Sequence, residues 1–177
     1  MVNGIGGLGS YGVQYAKLLG AGATVIAFAR SDDKLAVARD NGADHTVNVR
    51  GKSVEDVQNE LEDLTNRRDV DAVLDCAGSP DSLGAGRCRT RHRRRTVSGR
   101  ADGNEGGTPA VPLRQWRTVL LRVLLGGNHN DLQEVLALAS QGKIKHNVVT
   151  VKLDDVNDNL EALGRGDIVG RAVIVFD

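Results

Sequence analysis

Apolar positions recur along the chain in two rhythms. Thr24–Ala29 is a short, apolar, β-branched run, as expected of a strand buried on both faces. Val54, Val57, Leu61 and Leu64 instead recur at three- and four-residue spacing behind Ser53, which predicts a helix with one apolar face. His45–Val49 and Val70–Cys76 predict two further strands, and Ser31 can cap a helix that ends at Asn41-Gly42. Val2 and Asn3 run straight into a glycine-rich turn, after which a helix is predicted to about Leu19. Such alternation predicts an α/β fold built on a doubly wound parallel sheet. From Leu83 to about Gly107 the rhythm collapses, and only Thr96-Val97 resembles a strand core. It returns at Trp116–Leu125. A helix from about Asp131 follows, carrying Leu132, Val135, Leu136 and Ala139, with Gly142 as its stop. Val148–Val151 predicts a strand. Asp154 is expected to cap a helix bearing Val156, Leu160 and Leu163, with Gly164 ending it, and Ala172–Phe176 a last strand.

Length and composition narrow the class. With 177 residues the chain is one domain, or one and a small appendage. Aromatics at 3% argue against a stacking platform for single-stranded nucleic acid. Val119–Leu125 is interrupted by Arg122 and too short to span a bilayer, so no membrane association is expected. No secretory signal is read at the start. Two Cys cannot form a disulfide framework, so a reducing cytoplasm is the expected location. The formal net charge of zero conceals a split: seven of the fourteen residues from Arg87 to Arg100 are Arg. Without those seven, 16 basic residues face 23 acidic ones.

Gly4-Ile5-Gly6-Gly7-Leu8-Gly9 fits G-x-G-x-x-G. In that motif one glycine permits a sharp strand-to-helix turn, the second lets a pyrophosphate approach the backbone, and the third brings the helix close to the sheet. The ligand's charge then lies at a helix N-terminus, where free N–H groups and the macrodipole favour it. The flanking strand, helix and second strand supply the context of a Rossmann-type dinucleotide site. At the end of the second strand stand Ala29, Arg30 and Ser31, without the acid that usually binds the ribose 2′-hydroxyl. Arg30 can form charge-assisted bonds to a 2′-phosphate. NADP is therefore the expected cofactor and NAD the alternative, in which Asp32 or Asp33 would reach the ribose. No G-x-x-x-x-G-K-[ST] occurs, and no Tyr stands four residues before a Lys.

Several segments together resemble the zinc-type alcohol dehydrogenases of the medium-chain dehydrogenase/reductase superfamily. They are Val2–Gly9, Gln14-Tyr15-Ala16-Lys17, Gly42-Ala43-Asp44-His45, Asp71–Ser79 and Gly164–Val173, in the family's order and spacing. The resemblance covers most of residues 1–83 and 127–177. It implies a cofactor domain over residues 1–150, with an irregular Arg-rich or frame-altered stretch at 84–107. Residues 151–177 would be a C-terminal segment returning toward a catalytic domain. By similarity, Gly4 to Gly9 would cradle the pyrophosphate with Leu8 beside the nicotinamide, and Lys34 would lie near the adenosine ribose. Cys76, Ala77 and Gly78 would line the cofactor crevice, and Arg171 would reach the pyrophosphate. The resemblance implies that the family's zinc ligands and proton relay would lie largely in a catalytic domain expected to be missing from this sequence. Cys76, Cys88 and His92, with scattered His45, His129 and His146, do not make the three-ligand site that a catalytic zinc needs. No catalytic residue or metal ligand is therefore assigned.

The resemblance also implies an apolar strand near Thr96. Placing Arg91–Arg95 in a central strand would bury unpaired charge at several kcal/mol each, so this stretch is expected to be exposed or disordered. A basic nucleic-acid arm, a solvated loop and a reading-frame shift in the gene are the competing readings, and the frame shift is preferred. Nucleic-acid binding is not expected, because no recognition fold accompanies the arginines. His129 is read as a loop residue capping the next helix rather than a group facing the cofactor. The chain is thus expected to bind a nicotinamide dinucleotide as part of an alcohol-dehydrogenase-like oxidoreductase without being catalytically competent alone. A small alcohol or carbonyl substrate would enter only with a catalytic domain. A non-catalytic binding or docking module is the alternative, and a homo-oligomer is left open.

Overall fold

A computed structural model describes residues 1–67, 70–77, 90–98, 118–122 and 127–176, with the strands at 90–98 and 118–122 described through their backbone. The described residues fall into two compact units, Met1–Gly127 and Asn128–Asp177. The 150/151 boundary anticipated from the sequence lies within a strand of the second unit.

In the first unit the described strands are β1 (Val2–Asn3), β2 (Ile26–Ala29), β3 (His45–Asn48), β4 (Val70–Asp75), β5 (Thr90–Ser98) and β6 (Thr118–Arg122). They form one parallel sheet in the order β3-β2-β1-β4-β5-β6. Helices α1 (Gly9–Leu19), α2 (Asp32–Asp40) and α3 (Val54–Thr65) fall between the first four strands. The sheet is covered on both faces, because β2 alternates its side chains between two clusters. Ala27 and Ala29 pack with Val13 of α1 and Leu35 and Ala38 of α2. Ile26 and Phe28 pack with Val47 and with Val57 and Leu61 of α3. This is the doubly wound parallel arrangement expected from the alternating rhythm. The apolar stripe of α3 sits behind a complete capping box: the Ser53 hydroxyl accepts from the Asp56 N–H, and the Asp56 carboxylate accepts from the Ser53 N–H.

Although β1 has two residues, it pairs on both sides, with β2 through Val2↔Ala27 and with β4 through Val2↔Leu74. The chain runs outward from β1 through β2 to β3, then returns to place β4 on the other side of β1. The order reverses at the β1–β4 boundary.

The arginine-rich stretch requires a correction. Thr90–Ser98 do not leave the sheet: they form β5, paired with β4 on one side and β6 on the other. A ladder uses main-chain groups that every residue carries, so side-chain composition alone did not exclude it. The irregularity appears as a break in register. Val70 pairs with Thr90 and Ala72 with Arg95, so the four residues Arg91–Arg94 stand against the single residue Asp71. Residues 84–89 and 99–107 lie outside the described residues.

The second unit contains α4 (His129–Ser140), β7 (Val148–Val151), a 3₁₀ turn (Leu153–Asp155), α5 (Val156–Arg165) and β8 (Arg171–Ile174). β7 and β8 pair in parallel from Val148↔Arg171 to Val151↔Ile174. Two helix ends differ from expectation. The α5 helix begins after Asp155, because Leu153–Asp155 close a 3₁₀ turn first, and it ends at Gly166 rather than Gly164. Gly166 has φ +81°, the left-handed conformation that a helix stop requires.

Candidate functional site

The carboxyl ends of β1 and β4 lie side by side where the strand order reverses, and open α/β sheets bind ligands in the crevice at such a point. The turn from β1 into α1 forms one wall. Gly4 has φ +84°, and its N–H donates to the Phe28 carbonyl at 2.9 Å. A Cβ on Gly4 would stand 2.7 Å from the Ala77 Cβ, and one on Gly9 would stand 1.9 Å from the Gly4 carbonyl oxygen. Neither position admits a side chain. Around Gly6 a Cβ would meet nothing within 4 Å, so this part of the turn faces open space. The Ile5 side chain is buried in the core with Val2 and Val13 and anchors the turn from behind. Gly7 is half-buried, and Leu8, at the helix N-cap, is exposed. No side chain caps α1.

Opposite the turn, β4 ends at Asp75, and Cys76 and Ala77 follow it. Burial and the neighbouring Asp75 carboxylate push the Cys76 thiol up to about 11, so it stays protonated at neutral pH. Asp75 is 1% exposed, and its Oδ1 accepts from the Asn3 amide at 3.2 Å and from the Ala77 N–H at 3.1 Å. Gly78 lies outside the described residues.

At the end of β2, Ala29 is buried within the core, Arg30 is exposed, and Ser31 and Lys34 are half-buried. Ser31 occupies the N-cap of α2 without a side-chain capping bond. Asp32 accepts a hydrogen bond from the Asn48 amide at 2.8 Å. Asp44 serves the scaffold: it takes the Val25 N–H at 2.7 Å and the Lys17 ammonium at 2.9 Å, tying α1 to the start of β2. Partial burial opposes its ionisation, but the Val25 and Lys17 bonds outweigh it and hold the carboxyl below its ordinary range.

Arg171 opens β8 in the second unit, exposed, with its N–H donating to the Asn147 carbonyl at 2.9 Å. The expectation for His129 is corrected. Asn128 caps α4, accepting from the N–H groups of Asn130 and Asp131, and His129 is the first helical residue. The His129 Nε2 lies 3.1 Å from the Gln133 side-chain nitrogen.

The structure thus gathers Gly4–Gly9, Cys76 and Ala77 around the reversal point. The sequence reading passed over three residues there. Gly12 lets α1 approach β4, since a Cβ on it would meet the Leu74 side chain at 2.8 Å. Asn3 and Asp75 form the buried polar pair. Their signal was a polar residue closing each of two otherwise apolar strand ends.

A nicotinamide dinucleotide fits this donor set, with an open, glycine-lined approach to an uncapped helix start. Among the described residues no three His, Cys, Asp or Glu side chains come together as a metal site. Cys88 lies outside the described residues. Among the described residues no helix is long and apolar enough to cross a membrane.

Comparison with known proteins shows which family the chain resembles. Residues 7–141 match the family model of the zinc-binding dehydrogenases. The chain is 33% identical over 188 residues to an alcohol dehydrogenase of Moraxella sp., covering 99% of this chain and 50% of that protein. It is 29% identical over 178 residues to the D-arabinose 1-dehydrogenase (NADP(+)) of Saccharolobus solfataricus, covering 98% and 48%. The crystal structure of the alcohol dehydrogenase from Aeropyrum pernix superposes with a TM-score of 0.81 at 33% identity, covering 99% of this chain and 49% of that one. The chain spans about half the length of the curated relatives it matches.

Proposed function

The chain belongs to the zinc-binding dehydrogenase family, an alcohol-dehydrogenase-like oxidoreductase lineage, and from that premise we propose that its first unit is the part that holds a nicotinamide dinucleotide, with NADP preferred. One observation carries this reading: the open space before Gly6, at the reversal of strand order and against an α1 start that no side chain caps. Gly4 and Gly9 keep the turn tight enough for main-chain N–H groups to meet a diphosphate. Leu8 offers an exposed apolar side chain for the nicotinamide end, and Cys76 and Ala77 form the facing wall. Lys34 stands in the first turn of α2 for the adenosine ribose. Arg171 is proposed as a further pyrophosphate contact and Gly78 as a further part of the wall.

Arg30 sets the cofactor preference. It is exposed at the end of β2, where no acid repels a 2′-phosphate, while the nearby Asp32 is engaged by Asn48. When bound, the dinucleotide supplies the hydride acceptor or donor for an alcohol or carbonyl carbon. This chain's own residues bind and orient it. A small alcohol or carbonyl substrate is proposed to be turned over only when a catalytic domain is supplied, since the chain spans about half the length of the alcohol and D-arabinose dehydrogenases it matches. The two Cys are in keeping with a reducing cytoplasm.

Calorimetric titration of the purified chain with NADP and NAD tests the reading. NADP is expected to bind more tightly, and Arg30→Ala to weaken NADP roughly tenfold, one charge-assisted bond's worth, while sparing NAD. Equal loss for both cofactors would overturn the role of Arg30. Cofactor binding with no alcohol-dependent absorbance change at the reduced-nicotinamide band is expected of this chain by itself.

A further inference from the structure

Resting on the dinucleotide reading above, we infer that Asn3 and Asp75 are positioning residues for the cofactor: a buried amide–carboxylate brace that sets the width of the crevice between the glycine turn and the end of β4. The two residues are register partners at the last positions of β1 and β4, the strands between which the sheet order reverses. Both are buried, and the Asn3 Nδ2 donates to the Asp75 Oδ1 at 3.2 Å. The same oxygen accepts the Ala77 N–H at 3.1 Å, so the carboxylate turns the chain two residues beyond the strand. The Cys76 N–H donates to the Asn3 carbonyl at 2.8 Å, so the main chain joins the same two strand ends that the side chains brace.

What the brace holds is a very close approach. Ala77 lies so near Gly4 that a Cβ on the glycine would come within 3 Å of the Ala77 Cβ, N and Cα. Gly4 leads directly into the open turn at Gly6. Any shift of Ala77 therefore changes the corner against which the diphosphate would rest. Two polar side chains at the bottom of a sheet are costly unless they satisfy one another. An apolar pair would serve the core as well, but it could not hold the Ala77 N–H. Asp75 thus acts through Ala77 and Gly4, without needing to touch the ligand.

Three variants and one double exchange test the inference, using NADPH and NADH as probes and fluorescence titration as the readout. Asn3→Ala and Asp75→Ala are expected to weaken binding about tenfold. Asp75→Asn alone should do so less, because its oxygen can still accept the Ala77 N–H. The exchange of Asn3→Asp with Asp75→Asn reverses donor and acceptor across the pair and should recover wild-type affinity within about threefold. Amide exchange at Ala77 should rise in Asp75→Ala and return to its slow rate in the exchange. If Asp75→Ala does not fold, Asn3→Ala and the exchange carry the test. Single variants that bind as tightly as wild type, or an exchange as weak as the singles, would overturn the brace. A wild-type chain that binds neither NADPH nor NADH would overturn the dinucleotide reading, and the inference with it.

Discussion

The two units carry apolar patterns of similar quality and use them differently. In the first, α3 points Val57 and Leu61 at Ile26, Phe28 and Val47, and all five are buried. In the second, α5 shows an equally regular stripe, yet Leu160 and Leu163 remain about 60% exposed, as do Leu132 and Leu136 of α4 to a similar degree. Ile144 is the buried apolar residue of that unit among the described residues. Periodicity therefore specifies an element and the face it will offer. Burial depends on a second element standing opposite, and β2, with α1 and α2 on one side and α3 on the other, has both. The glycine turn proposed to hold the dinucleotide follows β1, which pairs with β2 on the doubly covered part of the sheet.

That contrast predicts unequal responses to truncation. Phe28→Ala removes a ring that is 1% exposed and packed under α3, at a strand whose N-terminal neighbours feed both clusters. It should cost about 3–5 kcal/mol in urea unfolding. A loss below 1 kcal/mol would mean that the first unit is no better packed than the second. Next in size is Gly9→Ala. Its methyl would fall on the Gly4 carbonyl oxygen, and backbone cannot swing aside as a flexible side chain can. A cost of ~1–3 kcal/mol is expected, together with loss of NADPH binding. Calorimetry on a variant still folded by circular dichroism separates the two effects.

Much of the first unit was legible because its signals are local. Thr24–Ala29 announced a doubly buried strand, Ser53 and Asp56 announced a capped helix, and three spaced glycines announced the turn. What escaped was set by partners distant in sequence. Asn3 and Asp75 meet across 72 positions, and nothing near either one foretells the other. Thr90–Ser98 join the sheet through main-chain pairing with β4 and β6, which charge and hydropathy do not report. Helix ends escaped for a subtler reason. Asp154 and Gly164 are the right residue types, but a 3₁₀ turn and the left-handed φ of Gly166 move the boundaries by one and two positions. The frame-shift reading of residues 84–107 remains a proposal about the gene. Translating those codons in the other two frames should yield an apolar strand flanked by glycine, and failure in both frames would remove it.

The Lys17–Asp44 contact gives a smaller, pH-dependent effect. The Asp44 carboxyl titrates below its ordinary value of 3.8, so the folded state binds its proton less readily than the unfolded chain does. Stability from this group is fully present above about pH 4 and is lost as pH falls through the folded value. Because both side chains are about one-third exposed, the pair is worth only ~0.2–1 kcal/mol. Asp44→Asn keeps an acceptor for the Val25 N–H and should flatten the acid limb of the unfolding curve. An unchanged limb would assign the acid sensitivity elsewhere, with Asp56, whose carboxyl the Ser53 hydroxyl and N–H hold below its usual range, the next group to examine.

The smallest effect tests the other side of the contrast. Leu160 is 59% exposed on α5, so truncating it removes little area from the folded chain beyond what the unfolded chain already shows to water. Alanine also favours helix at least as well as leucine. Leu160→Ala should therefore change stability by less than about 0.5 kcal/mol, within the range of ordinary surface substitutions, when followed by thermal unfolding at several protein concentrations. A buried leucine in the same substitution costs roughly 2–5 kcal/mol, so the two outcomes are well separated. A cost in that upper range that grows with protein concentration would mean that copies of the chain cover this face in solution. The same cost at every concentration would mean that the face is buried within one chain. Either result would move the second unit to the same side of the comparison as the first.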